Sequence, residues 1–294
     1  MHKLKTFEII NFKERSSLWN PYPVGNPSGG IQVVGRDIRL EQSQIAAATA
    51  GTGQGGSITV NAARSLSLGG VNPNAQAPSA WIVNQVAPKA TGNGGAVNIR
   101  AGQLTLHDGA AIQTLSLGAY PISPTLISGI DNFTTGSGNG GNVSVTTPKL
   151  TLQAGAILSA STLLVLGIFG DAKQSNNLGN GGNVTVNVAD RLTITGINRF
   201  TKAPTVLGTN TLGNGKAGDV TIKTNHLVIQ DGASINTITQ ATGNAGALTI
   251  QANDILIEGK NILSSAIAKL LITTTFYKAH EQIPTDGIEG CQVY

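Results

Sequence analysis

Several residues in this chain have types and spacings that suit chemistry. Gly179-Asn180-Gly181-Gly182 and Gly215-Lys216-Ala217-Gly218 have the small side chains of a loop that cradles phosphate on backbone N–H groups. Asp108 and Asp231 each precede a glycine and offer carboxylates for general acid/base work. Asp219 follows a glycine turn, the place where calcium β-rolls carry a ligating carboxylate. His107 and His226 are candidate metal ligands. Arg199 with Lys202, and Asp171 with Lys173, put charges of use to an active site into irregular stretches.

The elements that must position these residues are repeated. GQGGSITVNAARSLSLGG from Gly53, GNGGAVNIRAGQLTLHDGAAIQT from Gly92 and GNGGNVSVTTPKLTLQAGAILSA from Gly138 share one internal order. So do GNGGNVTVNVADRLTITG from Gly179, GKAGDVTIKTNHLVIQDGASINT from Gly215 and GNAGALTIQANDILIEG from Gly243. A degenerate copy, GGIQVVGRDIRLEQSQI, begins at Gly29, making about seven units over residues 29–260. Each unit runs from a turn to an apolar-x-apolar triplet, a polar hinge and a second triplet. A D/A-G-A-x-apolar element then places Ile112, Leu158 and Ile235 at matching offsets. Alternation with period 2 predicts half-buried strands, with Val184, Val186, Leu192 and Ile194 inward and Thr185 and Thr193 outward.

Strands this short need neighbours, and stacking unit on unit supplies them. The expected fold is therefore all-β, a parallel β-helix solenoid about 35 Å long. Extra residues at 69–90, 116–137, 161–178 and 197–214 read as irregular insertion loops on one side, with an additional coil in the longer units left open. The corner glycines are expected to supply positive φ, and the asparagines beside them to tolerate the left-handed region and form ladders.

Composition agrees with a narrow interior. Gly numbers 38, aromatic residues are 4% and charged residues only 12%, against 40% apolar residues. That balance excludes a disordered chain. The net charge of +4 comes without a dense basic patch interleaved with aromatics, so no nucleic-acid partner is expected. Cys291 is the single cysteine and excludes an intrachain disulfide. No apolar run is long enough to insert into a membrane, and Glu8, Lys13, Glu14 and Arg15 break the apolar run a signal peptide requires.

Set in the repeat, the candidate chemistry thins out. A phosphate loop closes on Gly-Lys-Ser/Thr at a helix start, whereas Lys216 precedes Ala217 and every cluster opens a strand. A β-roll needs carboxylates where most units carry Asn or Ala. The position of Asp108 and Asp231 is filled by Ala154 in another unit, as expected of a turn residue. The two histidines sit at different offsets. Thr59, Asn98, Ser144, Thr185, Thr221 and Thr249 form an outward column too mixed for a flat ice-binding array. No catalytic, cofactor-binding or metal-binding residue is assigned, and no cofactor is expected.

The GNGG-V-x-V … L-x-L … DGA-x-I pattern over residues 29–260 resembles the repeat region of filamentous-haemagglutinin-like exoproteins, in particular the Gly/Asn-rich arrays of cyanobacterial members. The resemblance implies a right-handed β-helix in a secreted or surface-attached protein exported by two-partner secretion through an outer-membrane transporter. It implies adhesion or cell–cell contact, with surface carbohydrate or protein receptors as partners, and no enzymatic activity. The alternatives are a carbohydrate-active β-helix enzyme (polysaccharide lyase or hydrolase) and a degenerate fragment without its own function. Residues 1–28 lack the family's signal peptide and secretion domain, and residues 261–294 lose the repeat. They read as non-repeat ends of a fragment or as caps on the solenoid.

Overall fold

The computed structural model describes residues 2–3, 7–12, 17–20, 29–49, 51–70, 80–86, 91–116, 138–161, 179–211, 215–239, 243–258 and 270–273. Among them there is no helix, and the strands form two parallel sheets of the solenoid-like class. Asp171, Lys173, Cys291 and most of the insertion at 116–137 lie outside the described residues.

Seven rungs build the stack. Their long strands are Ile31–Glu41, Ile58–Gly69, Val97–Ala101 with Leu104–Leu106, Val143–Gln153, Val184–Thr195, Val220–Gln230 and Leu248–Ile257. Each contains both sequence triplets, joined through the polar hinge, and each pairs in parallel with the next rung in unbroken order. Rungs 1–6 add a short strand to the second sheet: Gln44–Thr49, Trp81–Val86, Ala111–Ser116, Ile157–Ser161, Val206–Thr211 and Ser234–Thr239. Two of these lie within expected insertions, so residues 69–90 and 197–214 are not loop throughout. Consecutive units are direct hydrogen-bonded neighbours, so no extra coil is interposed even where a unit is long. Outside the repeat, His2–Lys3 and Phe7–Phe12 pair with the rung 1 long strand, and Ser17–Asn20 with Gln44–Thr49. At the other end Leu270–Thr273 pairs with Leu248–Gln251.

Period-2 alternation and register together make the core. Val184, Val186, Leu192 and Ile194 are fully buried, each opposite its counterpart in rungs 4 and 6. Thr185 and Thr193 on the other side are half-buried. Burying each such aliphatic side chain contributes about 2 kcal/mol.

The Gly/Asn corner answers to stacking. Asn139 N–H donates to Asn93 Oδ1 at 2.9 Å, Asn180 N–H to Asn139 Oδ1 at 2.9 Å, and Lys216 N–H to Asn180 Oδ1 at 2.8 Å. A second ladder three residues on links Asn183 N–H to Asn142 Oδ1, Asp219 N–H to Asn183 Oδ1 and Ala247 N–H to Asp219 Oδ1, at 2.8–2.9 Å. The corner glycines do not adopt positive φ, contrary to expectation. Instead the previous rung's carbonyl oxygen fills the space a Cβ needs: Gly138 O at Gly179, and Gly141 O at Gly182. Positive φ occurs instead at the D/A-G turn, in Asp108-Gly109, Ala154-Gly155 and Asp231-Gly232. There two successive left-handed residues close a tight turn, with Ala110 N–H donating to His107 O at 3.1 Å and Ala233 N–H to Gln230 O at 3.1 Å.

Candidate functional site

The polar hinge between the two triplets bends every long strand. Five rungs place the triplets seven residues apart, whereas rungs 2 and 5 carry one more residue and the pairing register shifts at the bend. Stacked bends leave an open groove of about 900 Å³ that reaches from Val34 and Gly35 in rung 1 to Gln251 and Asn253 in rung 7. Six steps of about 4.8 Å make it about 29 Å long. Val34, Asn61, Arg100, Thr146, Asn187 and Lys223 succeed one another along one wall, each the residue after a first triplet. Gly35, Ala62, Ala101, Thr147, Val188 and Thr224 are the buried strip beside them. Thr147 and Thr224 hold the bend by donating to Lys149 O at 3.0 Å and to His226 O at 3.3 Å. Across the strip stand Ala63, Gly102, Pro148, Ala189, Asn225 and Asn253, with Asn253 Nδ2 donating to Asn225 Oδ1 at 3.2 Å. The buried Asn61 Oδ1 has no hydrogen-bond partner among the described residues.

Charges at the bend pair between rungs. Asp37 accepts from Arg64 Nε at 2.7 Å, from Ser65 Oγ at 2.6 Å and from Arg36 Nε at 3.2 Å. The Arg64 hydrogen bond, followed by that of Ser65, lowers its pKa to about 2 and raises that of Arg64. Lys149 Nζ lies 3.7 Å from Asp190, and His226 Nδ1 lies 2.8 Å from Asp254. Arg100 and Lys223 make no ion pair with a described residue.

Because the native pKa of Asp37 lies below the ordinary value of about 3.9, its ionised form favours folding above that pH, and the contribution is lost as pH falls toward 2. In a carbon-detected NMR titration the Asp37 carboxyl is expected to titrate at about 2, and Arg64→Gln to move it up toward the ordinary range. A midpoint already near 4 in the unsubstituted chain contradicts the three-donor geometry.

The residues nominated from sequence are dispersed. Lys216 and Asp219 belong to the corner ladders, with Lys216 Nζ 3.5 Å from Asp219. Asp108 and Asp231 occupy the first left-handed position of their turns; Asp108 meets His107 Nδ1 at 2.9 Å, and Asp231 accepts from Thr195 Oγ1 at 2.9 Å. His226 lies at the bend, away from His107. Arg199 and Lys202 sit on an exposed excursion between Ile197 and Pro204, where the Arg199 guanidinium lies 4.6 Å over the Phe200 ring. Among the described residues, no three His, Cys, Asp or Glu side chains gather to hold a metal ion.

Sequence reasoning missed a buried polar column in the second sheet. Asn84 Nδ2, Thr209 Oγ1 and Thr237 Oγ1 donate to Gly56 O at 2.6 Å, Gly218 O at 2.6 Å and Gly246 O at 2.8 Å, and Thr114 likewise reaches Gly141 O. These side chains tie the short strand to the last corner glycine and satisfy a carbonyl that would otherwise be costly to bury. The available signal was Thr or Asn two residues after the inward Ile or Leu of the third element. Sequence reasoning also missed the groove, because its walls are the ordinary outward positions of a hinge.

Comparison with protein-family models, curated proteins and solved structures finds no match to the chain.

Proposed function

We propose that this chain is a right-handed parallel β-helix module of the filamentous-haemagglutinin kind, a non-enzymatic surface-displayed or secreted element for attachment and cell–cell contact. Its partners are surface carbohydrate or protein receptors, and its export runs through an outer-membrane transporter. The observation that carries this reading is the unbroken parallel stacking order of seven rungs. Register converts single outward residues into long columns, so one weak contact per rung is repeated along the axis and gains by multivalency. The dispersal of Asp108, Asp231 and Asp219 among turns and ladders also favours a binding element over a carboxylate-pair enzyme.

The test coats beads with the purified chain and scores attachment to intact bacterial cells, while the free chain is incubated with neutral and acidic polysaccharides. Attachment without release of new chain ends is the expected result. Product release overturns the non-enzymatic reading, and beads that stay unattached overturn the adhesive one.

A further inference from the structure

We propose that the bend groove binds an extended acidic polysaccharide whose anionic groups recur every few sugars. The assignment deepens the adhesive reading above and rests on it for its biological setting. Charge comes first. The bend carboxylates already have partners: Asp37 has Arg64 and Arg36, Asp190 has Lys149, and Asp254 Oδ2 lies 2.8 Å from the His226 ring. Arg100 and Lys223 line the groove without such a partner among the described residues, so the groove carries uncompensated positive charge.

Spacing then selects the kind of anion. The two cations stand three rungs apart, about 14 Å. Two charges along a groove about 29 Å long are too sparse for a nucleic-acid strand, which presents a phosphate roughly every 3.4 Å, and among the described residues no aromatic side chain lines the groove to stack a base. A peptide strand is disfavoured because the groove runs across the face of a sheet whose backbone groups are paired between rungs, leaving no edge to extend.

Hydroxyl recognition fits what remains. Asn61 in rung 2, Asn187 in rung 5, Asn225 in rung 6, and Gln251 and Asn253 in rung 7 bring amides onto a strip of small side chains. The rung repeat is close to the advance of a sugar in an extended chain, and the long flexible side chains of Arg100 and Lys223 reach carboxylates two sugars, roughly 10 Å, apart. Arg100 and Lys223 then contact carboxylate or sulfate groups a few sugars apart.

The test measures binding of the full chain to hyaluronan, which carries a carboxylate on alternate sugars, beside neutral dextran and inorganic polyphosphate. Hyaluronan is expected to bind at least tenfold more tightly than dextran or polyphosphate. Arg100→Gln and Lys223→Gln are each expected to weaken it roughly fivefold, and their combination roughly twenty-fivefold. Arg191→Gln, an exposed cation outside the groove, is expected to leave it unchanged. Each variant is checked for wild-type strand content and melting midpoint.

Equal affinity for dextran, equal affinity for polyphosphate, unaltered binding by the double variant or an equal loss in Arg191→Gln overturns the assignment. The two readings fail separately. Cell attachment that survives the double substitution removes the groove and leaves the adhesive function standing. Hyaluronan binding that depends on Arg100 and Lys223 in a chain that does not attach to cells does the reverse.

Discussion

Gly182→Asn is expected to destabilise the fold by about 3 kcal/mol or more, whereas Gly232→Asn costs only about 1 kcal/mol. The substitutions are alike in chemistry and opposite in the reason for the glycine. At Gly182 the backbone is not left-handed, and Gly141 O from the rung below occupies the place of any added Cβ. The obstacle is backbone on both sides, and relief requires two rungs to separate where Asn183 N–H donates to Asn142 Oδ1. At Gly232 φ is +80° and the nearest heavy atom to an added Cβ is Ile197 Cγ2 at 3.5 Å, an ordinary contact. Asparagine visits that conformation at modest cost. Denaturant midpoints at unchanged slope measure the difference. The reverse order of stabilities refutes close approach as the reason for the corner glycines.

Leu192→Ala is the other large effect, with an expected loss of about 3 kcal/mol from lost burial and the cavity left behind. Leu192 is fully buried in the middle of the stack, in register with Leu150 on one side and Leu227 on the other. A hole there weakens the interfaces of rung 5 with both neighbours. In an array where stability sums over adjacent units, the transition should also broaden. Thr193→Ala, next in sequence on the half-buried outer side, is expected to cost under about 1 kcal/mol. Ile255→Ala in rung 7 falls between them, since Ile255 is only partly buried and the described strand beyond it pairs with Leu248–Gln251 alone. Similar losses at Leu192 and Thr193 contradict the inward and outward assignment of the strand.

The alternation of Val184, Val186, Leu192 and Ile194 is a local property, which is why the strands, their inner faces and the order of the rungs were legible residue by residue. Repetition made parallel stacking legible as well, because each unit lacks a partner other than its own copies. The strands Trp81–Val86 and Val206–Thr211 were hidden because residues 71–79 and the excursion from Ile197 to Pro204 displace them from the offset at which Ile112, Leu158 and Ile235 announce theirs. Candidate chemistry in the sequence pointed at glycines and aspartates, and stacking gives most of them other duties. Asn180 and Asp219 bond the next rung's backbone, and Asp231 turns the chain.

By itself, then, the sequence determined that this chain is all-β, that seven units repeat and which side chains face inward. These follow from periodicities of two residues and of one unit. Only the tertiary structure decided why Gly182 must be glycine, that Arg64 meets Asp37 across 27 residues, and that seven hinges align into one groove with Arg100 and Lys223 on its wall. Each of those arises between rungs, where register brings together residues whose separation along the chain changes from unit to unit.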